Sequence, residues 1–278
     1  MKRMLLLLIL TASIGFAQET DSTLNKWTPS LVTGFNINQI AFSNWTKGGT
    51  NSITWSLTED FLIAYKSLDW NFKNQLKSSY GQTKVGSDEF ITNDNELYLE
   101  SVVSKNIGWI IDPYFSNTVR TQITKGYDLK DATKTQISDM FDPGYITQSL
   151  GFAYDRNENF VTRLGVAIQE VITNKFTGYS DDPETTEIEK FKFETGLESV
   201  TDAQTVLAEN IMGKTKLRLF SRFESLDVWD VWWDNTITAK VNDWLNVNFT
   251  YLLVYQLDQS PTAQMKQALQ LGIVYTLL

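Results

Sequence analysis

The sequence predicts an all-β chain, an antiparallel meander of about twelve strands closed into a transmembrane β-barrel. Three observations carry this expectation. First, the stretch Gln264 to Leu278 alternates with period two, Met265, Gln267, Leu269, Leu271, Ile273, Tyr275 and Leu277 on one face and Lys266, Ala268, Gln270, Gly272, Val274, Thr276 and Leu278 on the other. A strand in this position leaves a bare hydrogen-bonding edge unless another strand covers it, and pairing with the first strand would close the sheet. Second, the connections between strands alternate between short and long, as in barrels with tight turns on one side of a membrane and long loops on the other. Third, aromatic residues make up 13% of the chain, nine of them Trp, although the mean hydropathy is only −0.23. Rings in that number suit a barrel that sets girdles at two membrane interfaces.

The strands follow in order. Phe35 to Phe42 and Ser52 to Tyr65 form a first hairpin. In the second of these, Ile53, Trp55, Leu57, Phe61, Ile63 and Tyr65 share a face with Glu59, one charge out of pattern. Trp70 to Tyr80, a strand carrying Leu97 to Val103, and Trp109 to Arg120 continue the alternation. So do Ile146 to Tyr154, Phe160 to Ile168, Phe191 to Thr201, Thr215 to Phe223, Val231 to Val241 and Leu245 to Tyr255. Each is near the length a tilted strand needs to cross a bilayer. Short connections are read at 66–69, 106–108, 156–159, 210–213 and 242–243, long ones at 81–94, 126–144 and 173–189. Lesser long-side connections fall at 43–49, 224–230 and 257–263. Trp70, Trp109, Phe160 and Trp244 each follow a short turn and read as one interfacial girdle.

Lys2 and Arg3, the apolar run Met4 to Leu10 and the small residues Gly15 and Ala17 predict a cleavable signal peptide over 1–17. Residues 18–30 then read as a periplasmic lead-in and 31–278 as the barrel. An exported chain of this pattern is expected in the outer membrane of a Gram-negative envelope, in contact with its lipid. The alternative is a soluble periplasmic or surface barrel or sandwich that binds a ligand. Sandwich strands are shorter, and nothing requires their loops to alternate in length.

The polar faces of the strands carry the residues expected to line the lumen: Lys73, Lys77, Glu96, Glu100, Arg120, Arg163, Glu194, Glu198, Lys214, Lys216, Arg218, Arg222, Asp234 and Lys240. Both signs are present, so a narrow lumen braced by ion pairs and a hydrated charged pore both fit. Twelve strands lie between filled small barrels and open porins. Lys214, Lys216, Arg218 and Arg222 form a basic ladder that Glu194 and Glu198 on the preceding strand would balance.

Composition excludes several functions. The chain has no cysteine and no histidine, which removes disulfides, thiolate or imidazole metal sites and the usual base of barrel hydrolases. A net charge of −9 argues against nucleic acid. Acidic pairs such as Asp181 with Asp182 and Asp139 with Asp142 fall in predicted loops and read as solvated charge. No catalytic residue, cofactor or metal site is expected. The expected role is therefore non-enzymatic: a narrow channel for small solutes, or a scaffold for another envelope protein.

The most distinctive local motif is Asn44-Trp45-Thr46-Lys47-Gly48-Gly49, where two glycines supply the positive-φ freedom of a tight connection. Its context, Asn38 through Ser52, resembles the opening of the DUF3078 family, as do Tyr80-Gly81 and Gln122 to Tyr127. That family comprises uncharacterised exported proteins of Bacteroidetes with the pattern of outer-membrane barrels. The resemblance implies a Gram-negative outer membrane and supplies no substrate.

Overall fold

The computed structural model describes residues 24–44, 46, 49–128, 134–182, 185–257 and 259–276. The segment read as a signal peptide lies outside them. The chain forms β1 (Lys26–Ile40), β2 (Ser52–Lys66), β3 (Trp70–Val85), β4 (Ile91–Lys105) and β5 (Asp112–Thr121). Two short strands, β6 (Gly126–Asp128) and β7 (Thr135–Ser138), pair with each other inside one connection. Then come β8 (Gly144–Asn157), β9 (Phe160–Ile172), β10 (Phe191–Ala208) and β11 (Ile211–Arg222). The last are β12 (Asp230–Lys240), β13 (Leu245–Tyr255) and β14 (Gln264–Thr276).

Twelve of these strands close into one antiparallel barrel, each beside its sequence neighbour once β6 and β7 are set aside. Closure is made by β1 against β14, from Val32 opposite Thr276 to Asn36 opposite Gly272. The edge that the sequence left open is thereby paired, which a lipid environment demands of every strand.

The outer surface is apolar. Leu150, Leu164, Val166, Leu269 and Ile273 are 65%, 59%, 52%, 70% and 53% exposed, and they lie on the faces of their strands that point away from the lumen. The buried residues are largely polar: Glu100, Asp112, Ser149, Arg163, Gln169, Glu194 and Glu198. Polar inside and apolar outside is the reverse of a soluble barrel and defines a membrane-spanning one. Glu59 does face outward at the middle of β2, and the Ser78 hydroxyl donates to it at 3.2 Å.

Several boundaries differ from expectation, each for a local reason. β1 begins at Lys26, inside the stretch read as a lead-in, because Pro29 interrupts the pattern without interrupting the strand. β3 runs on to Val85 and β4 starts at Ile91, so the long loop expected at 81–94 is instead a hairpin closed by 86–90. A register shift at Gly81 and Gln82 breaks the alternation there. Trp109 lies in the turn before β5, whose first residue is Asp112. Asp142 is also unlike a solvated loop acid: it is 4% exposed and accepts backbone N–H bonds from Asn174, Lys175 and Phe176 at 2.8, 2.8 and 3.3 Å. It clasps the β5–β8 connection to the β9–β10 connection.

Candidate functional site

Alternation along each strand fixes which side chains reach the lumen, and barrel closure decides which of them meet. The centre of the arrangement is Glu100 on β4, 1% exposed. Its Oε1 accepts from Arg163 Nη2 on β9 at 2.5 Å and its Oε2 from Lys216 Nζ on β11 at 2.8 Å. In the ring of strands β4 and β11 stand five steps apart, so this ion pair spans the barrel. Asp202 on β10 adds a second carboxylate 3.5 Å from Lys216, and Lys73 on β3 lies within Coulombic range of both Glu100 and Asp202.

Half of the basic ladder is balanced by the preceding strand as the sequence suggested, whereas Lys216 turns to Glu100 and Asp202 and Lys214 is exposed. Arg218 Nε donates to Glu198 Oε1 at 2.7 Å, and Arg222 Nε to Glu194 Oε1 at 2.5 Å. Arg222 also reaches Asp230 Oδ2 at 3.2 Å, and Lys192 lies 3.0 Å from Glu194. Gln169 bridges the two pairs, donating to Glu194 at 2.7 Å and accepting from Arg218 at 2.8 Å. Tyr114, Ala167 and Phe220 pack this half of the lumen and are 2%, 1% and 0% exposed. Glycines make room for Tyr114: a Cβ on Gly165 would stand 2.8 Å from its hydroxyl oxygen and 2.5 Å from the Leu150 carbonyl.

The other half is hollow. A cavity of about 630 Å³ sits toward the long connections, bounded by β1 to β5 on one side and β11 to β14 on the other. Arg120 stacks between two rings in its wall, its guanidinium carbon 3.6 Å from the centre of Trp232 and 5.1 Å from that of Tyr98. Glu96 Oε1 stands 3.3 Å from Arg120 Nε, an ionic contact without hydrogen-bond geometry, since that nitrogen has no hydrogen-bond acceptor. Lys266 on β14 pairs with Asp94 on β4 at 2.7 Å. Asn36 and Gln270 both donate to the Ser56 hydroxyl, at 3.2 and 3.1 Å.

Most residues read as lumen-lining are brought together in these three groups. Lys73, Glu100, Arg163 and Lys216 form the brace, Glu194, Glu198, Arg218 and Arg222 the packed wall, and Lys77, Glu96, Arg120 and Asp234 the cavity. Two belong elsewhere. Lys240 pairs with exposed Asp243 at the short-turn rim, and Lys214 is exposed three residues into β11. Strand ends open into solvent, so inward phase there does not mean enclosure. Trp70, Trp109, Phe160 and Trp244 all stand exposed at the short-turn end, and the Trp27–Tyr65 and Trp70–Phe72 ring contacts extend that row. In the motif, Asn44 and Gly49 take positive φ values of 54° and 129°, whereas Trp45 and Gly48 lie outside the described residues. Trp232, Asp202, Gln169 and Lys266 were not singled out from sequence, and nothing short of the closed ring marks them. No cluster of three acidic side chains able to hold a metal occurs among the described residues.

The fold and lumen define a membrane-spanning β-barrel. Residues 37–127 match the family model described as a protein of unknown function (DUF3078), about a third of the chain. No curated protein matches the chain. Among solved structures, the translocator domain of the autotransporter NalP from Neisseria meningitidis is similar at 10% identity, with a TM-score of 0.39 over 93% of this chain and 90% of that one. The COG4313 outer membrane channel from Pseudomonas putida F1 is similar at 8% identity, with a TM-score of 0.38 over 95% of this chain and 99% of that one. A TodX monoaromatic hydrocarbon channel mutant gives 11% identity and a TM-score of 0.33 over 90% of this chain and 88% of that one. Neither identities nor scores at this level assign a role to any residue here.

Proposed function

We propose that this protein is a non-enzymatic barrel of a Gram-negative outer membrane, exported by a cleavable signal peptide, and that it is a narrow channel for small solutes. The brace through Glu100 carries the reading: it crosses the lumen from β4 to β9 and β11, and Lys216, one of its partners, also lines the cavity. An ion pair that is buried and hydrogen-bonded on both sides holds its geometry, yet it can exchange partners when a charged or polar solute arrives. The apolar belt supports placement in lipid, and the girdle at the short-turn end supports one membrane interface there.

Planar-bilayer recording tests this. Wild-type protein should give small, infrequent steps, and Glu100→Gln should raise conductance or open probability severalfold by freeing Lys216 from the brace. Silence of both proteins at high load would overturn the channel and favour the second reading, a scaffold for another envelope protein. The packed wall of Tyr114, Ala167 and Phe220 is what speaks for that reading, since a wall so filled conducts nothing.

A further inference from the structure

The cavity's charges show what it would hold. Eight charged side chains enter its lining from the strands' inner faces: Lys77, Arg120, Lys216 and Lys266 against Asp60, Asp94, Glu96 and Asp234. Three of the four cations are engaged, Lys266 with Asp94, Arg120 with Glu96, and Lys216 with Glu100 and Asp202. Asp60 accepts a hydrogen bond from Gln75 Nε2 at 2.8 Å. Two charges remain without an ion pair or side-chain hydrogen bond among the described residues, Lys77 and Asp234.

These two face each other across the hollow. Lys77 is on β3 and Asp234 on β12, five steps apart round the ring through β2, β1, β14 and β13, and seven the other way. Each has its opposite charge near but not in contact. Asp60 is Lys77's register partner yet makes no ion pair with it, and Lys216 is Asp234's register partner but turns to Glu100 and Asp202. Leaving one cation and one anion unmatched on opposite walls costs solvation unless water or a ligand satisfies both. A space of about 630 Å³ is within the range of small-molecule sites.

We propose that the cavity binds a zwitterion of amino-acid or short-peptide type, its carboxylate at Lys77 and its ammonium at Asp234. Trp232 in the lining offers apolar surface, and Thr250 and Gln270, also in the lining, offer hydrogen bonds to an amide. This inference names a solute class for the channel reading and rests on it, but binding can be measured where no current flows.

The test is isothermal titration calorimetry on the folded, detergent-solubilised barrel with alanine, alanyl-alanine, N-acetyl-alanyl-alanine and alanyl-alanine amide. Alanine or the free dipeptide should bind, and capping either end of the dipeptide should weaken binding about tenfold or more, the worth of one charge-assisted hydrogen bond. Stronger binding of alanine than of alanyl-alanine would assign the site to free amino acids, and the reverse to short peptides. Lys77→Met should abolish discrimination against the amide alone, and Asp234→Asn discrimination against the acetylated form alone. Heat-modifiable gel mobility confirms that both variants are folded. Equal affinity for the capped and free dipeptides, or no binding of either zwitterion at millimolar concentration, would overturn the proposal. Zwitterion binding without conductance would sink the channel reading alone, and conductance without zwitterion binding would sink this inference alone.

Discussion

At the scale of single residues, Asp142 shows how a carboxylate can be put to structural use outside the membrane. Its removal from water favours the protonated form, but three backbone N–H donors and the Lys175 charge outweigh this and hold its pKa below the usual carboxylate value. A pKa lower in the folded state means that the ionised clasp stabilises fully above the unfolded value of about 3.9, and that this contribution fades as pH falls through the lower folded value. Asp142→Ala leaves the N–H groups of Asn174, Lys175 and Phe176 to find water or stay unpaired, at a cost of about 1–3 kcal/mol. Trypsin should therefore cut after exposed Lys175 faster in the variant than in wild type at neutral pH. In wild type the same region should resist pepsin until the pH drops below about 3.9. Equal cleavage of both proteins would mean that the two connections are not held together by this residue. The sequence could not show the clasp, because its donors come from a connection more than thirty residues away.

At the scale of elements, one strand tests the two faces directly. Phe249, near the middle of β13, is 39% exposed and flanked in register by Ile237 and Leu269, both exposed on the outer surface. Phe249→Arg puts a charge against the hydrocarbon at a cost of about 2–4 kcal/mol. Thr250→Arg, one residue on, points into the cavity and should fold with far less loss, as read by the urea midpoint of refolding into vesicles. Equal damage from both would mean that β13 has no lipid-facing side. This contrast was legible in the sequence because side chains alternate strictly, so β13 was bounded correctly from Leu245 to Tyr255. Where polar residues occupy both faces, as from Gln82 to Val85 and from Ile91 to Asn95, alternation carries no contrast and the hairpin reads as a loop. Pro29 hid the start of β1 in the same way, by a turn-forming residue placed in a strand. The inward phase of Glu100, Arg163, Glu198 and Arg218 was legible too. The identity of their partners was not: Glu100 and Lys216 are separated by 116 positions and meet only because β1 pairs with β14.

At the scale of the whole molecule, the question is whether the lumen's charge is a brace or the wall of an aqueous pore, and Glu198 decides it for the packed half. Glu198 is 4% exposed and accepts from Arg218 Nε at 2.7 Å, with Tyr114, Ala167 and Phe220 filling the space around them. In a dry lumen, Glu198→Gln leaves the Arg218 charge without its counterion. Breaking one side of a buried pair costs about 3–5 kcal/mol. The temperature at which the barrel changes gel mobility should then fall clearly, with no change in ion selectivity. In a wet lumen the freed guanidinium is solvated, so the loss should stay under about 1 kcal/mol. The wall would be more positive by one charge, and the reversal potential in a salt gradient should move toward anions. The enclosure of Phe220 and Ala167 leads us to expect the first outcome. Gln169 adds to that expectation, because its donation to Glu194 and its acceptance from Arg218 couple the two pairs into one network. Gln169→Leu combined with Glu198→Gln should consequently lose less than the sum of the single changes. An unchanged midpoint with shifted selectivity would instead make this half of the lumen a hydrated path beside the cavity, and solutes would pass along the basic ladder of Lys216, Arg218 and Arg222.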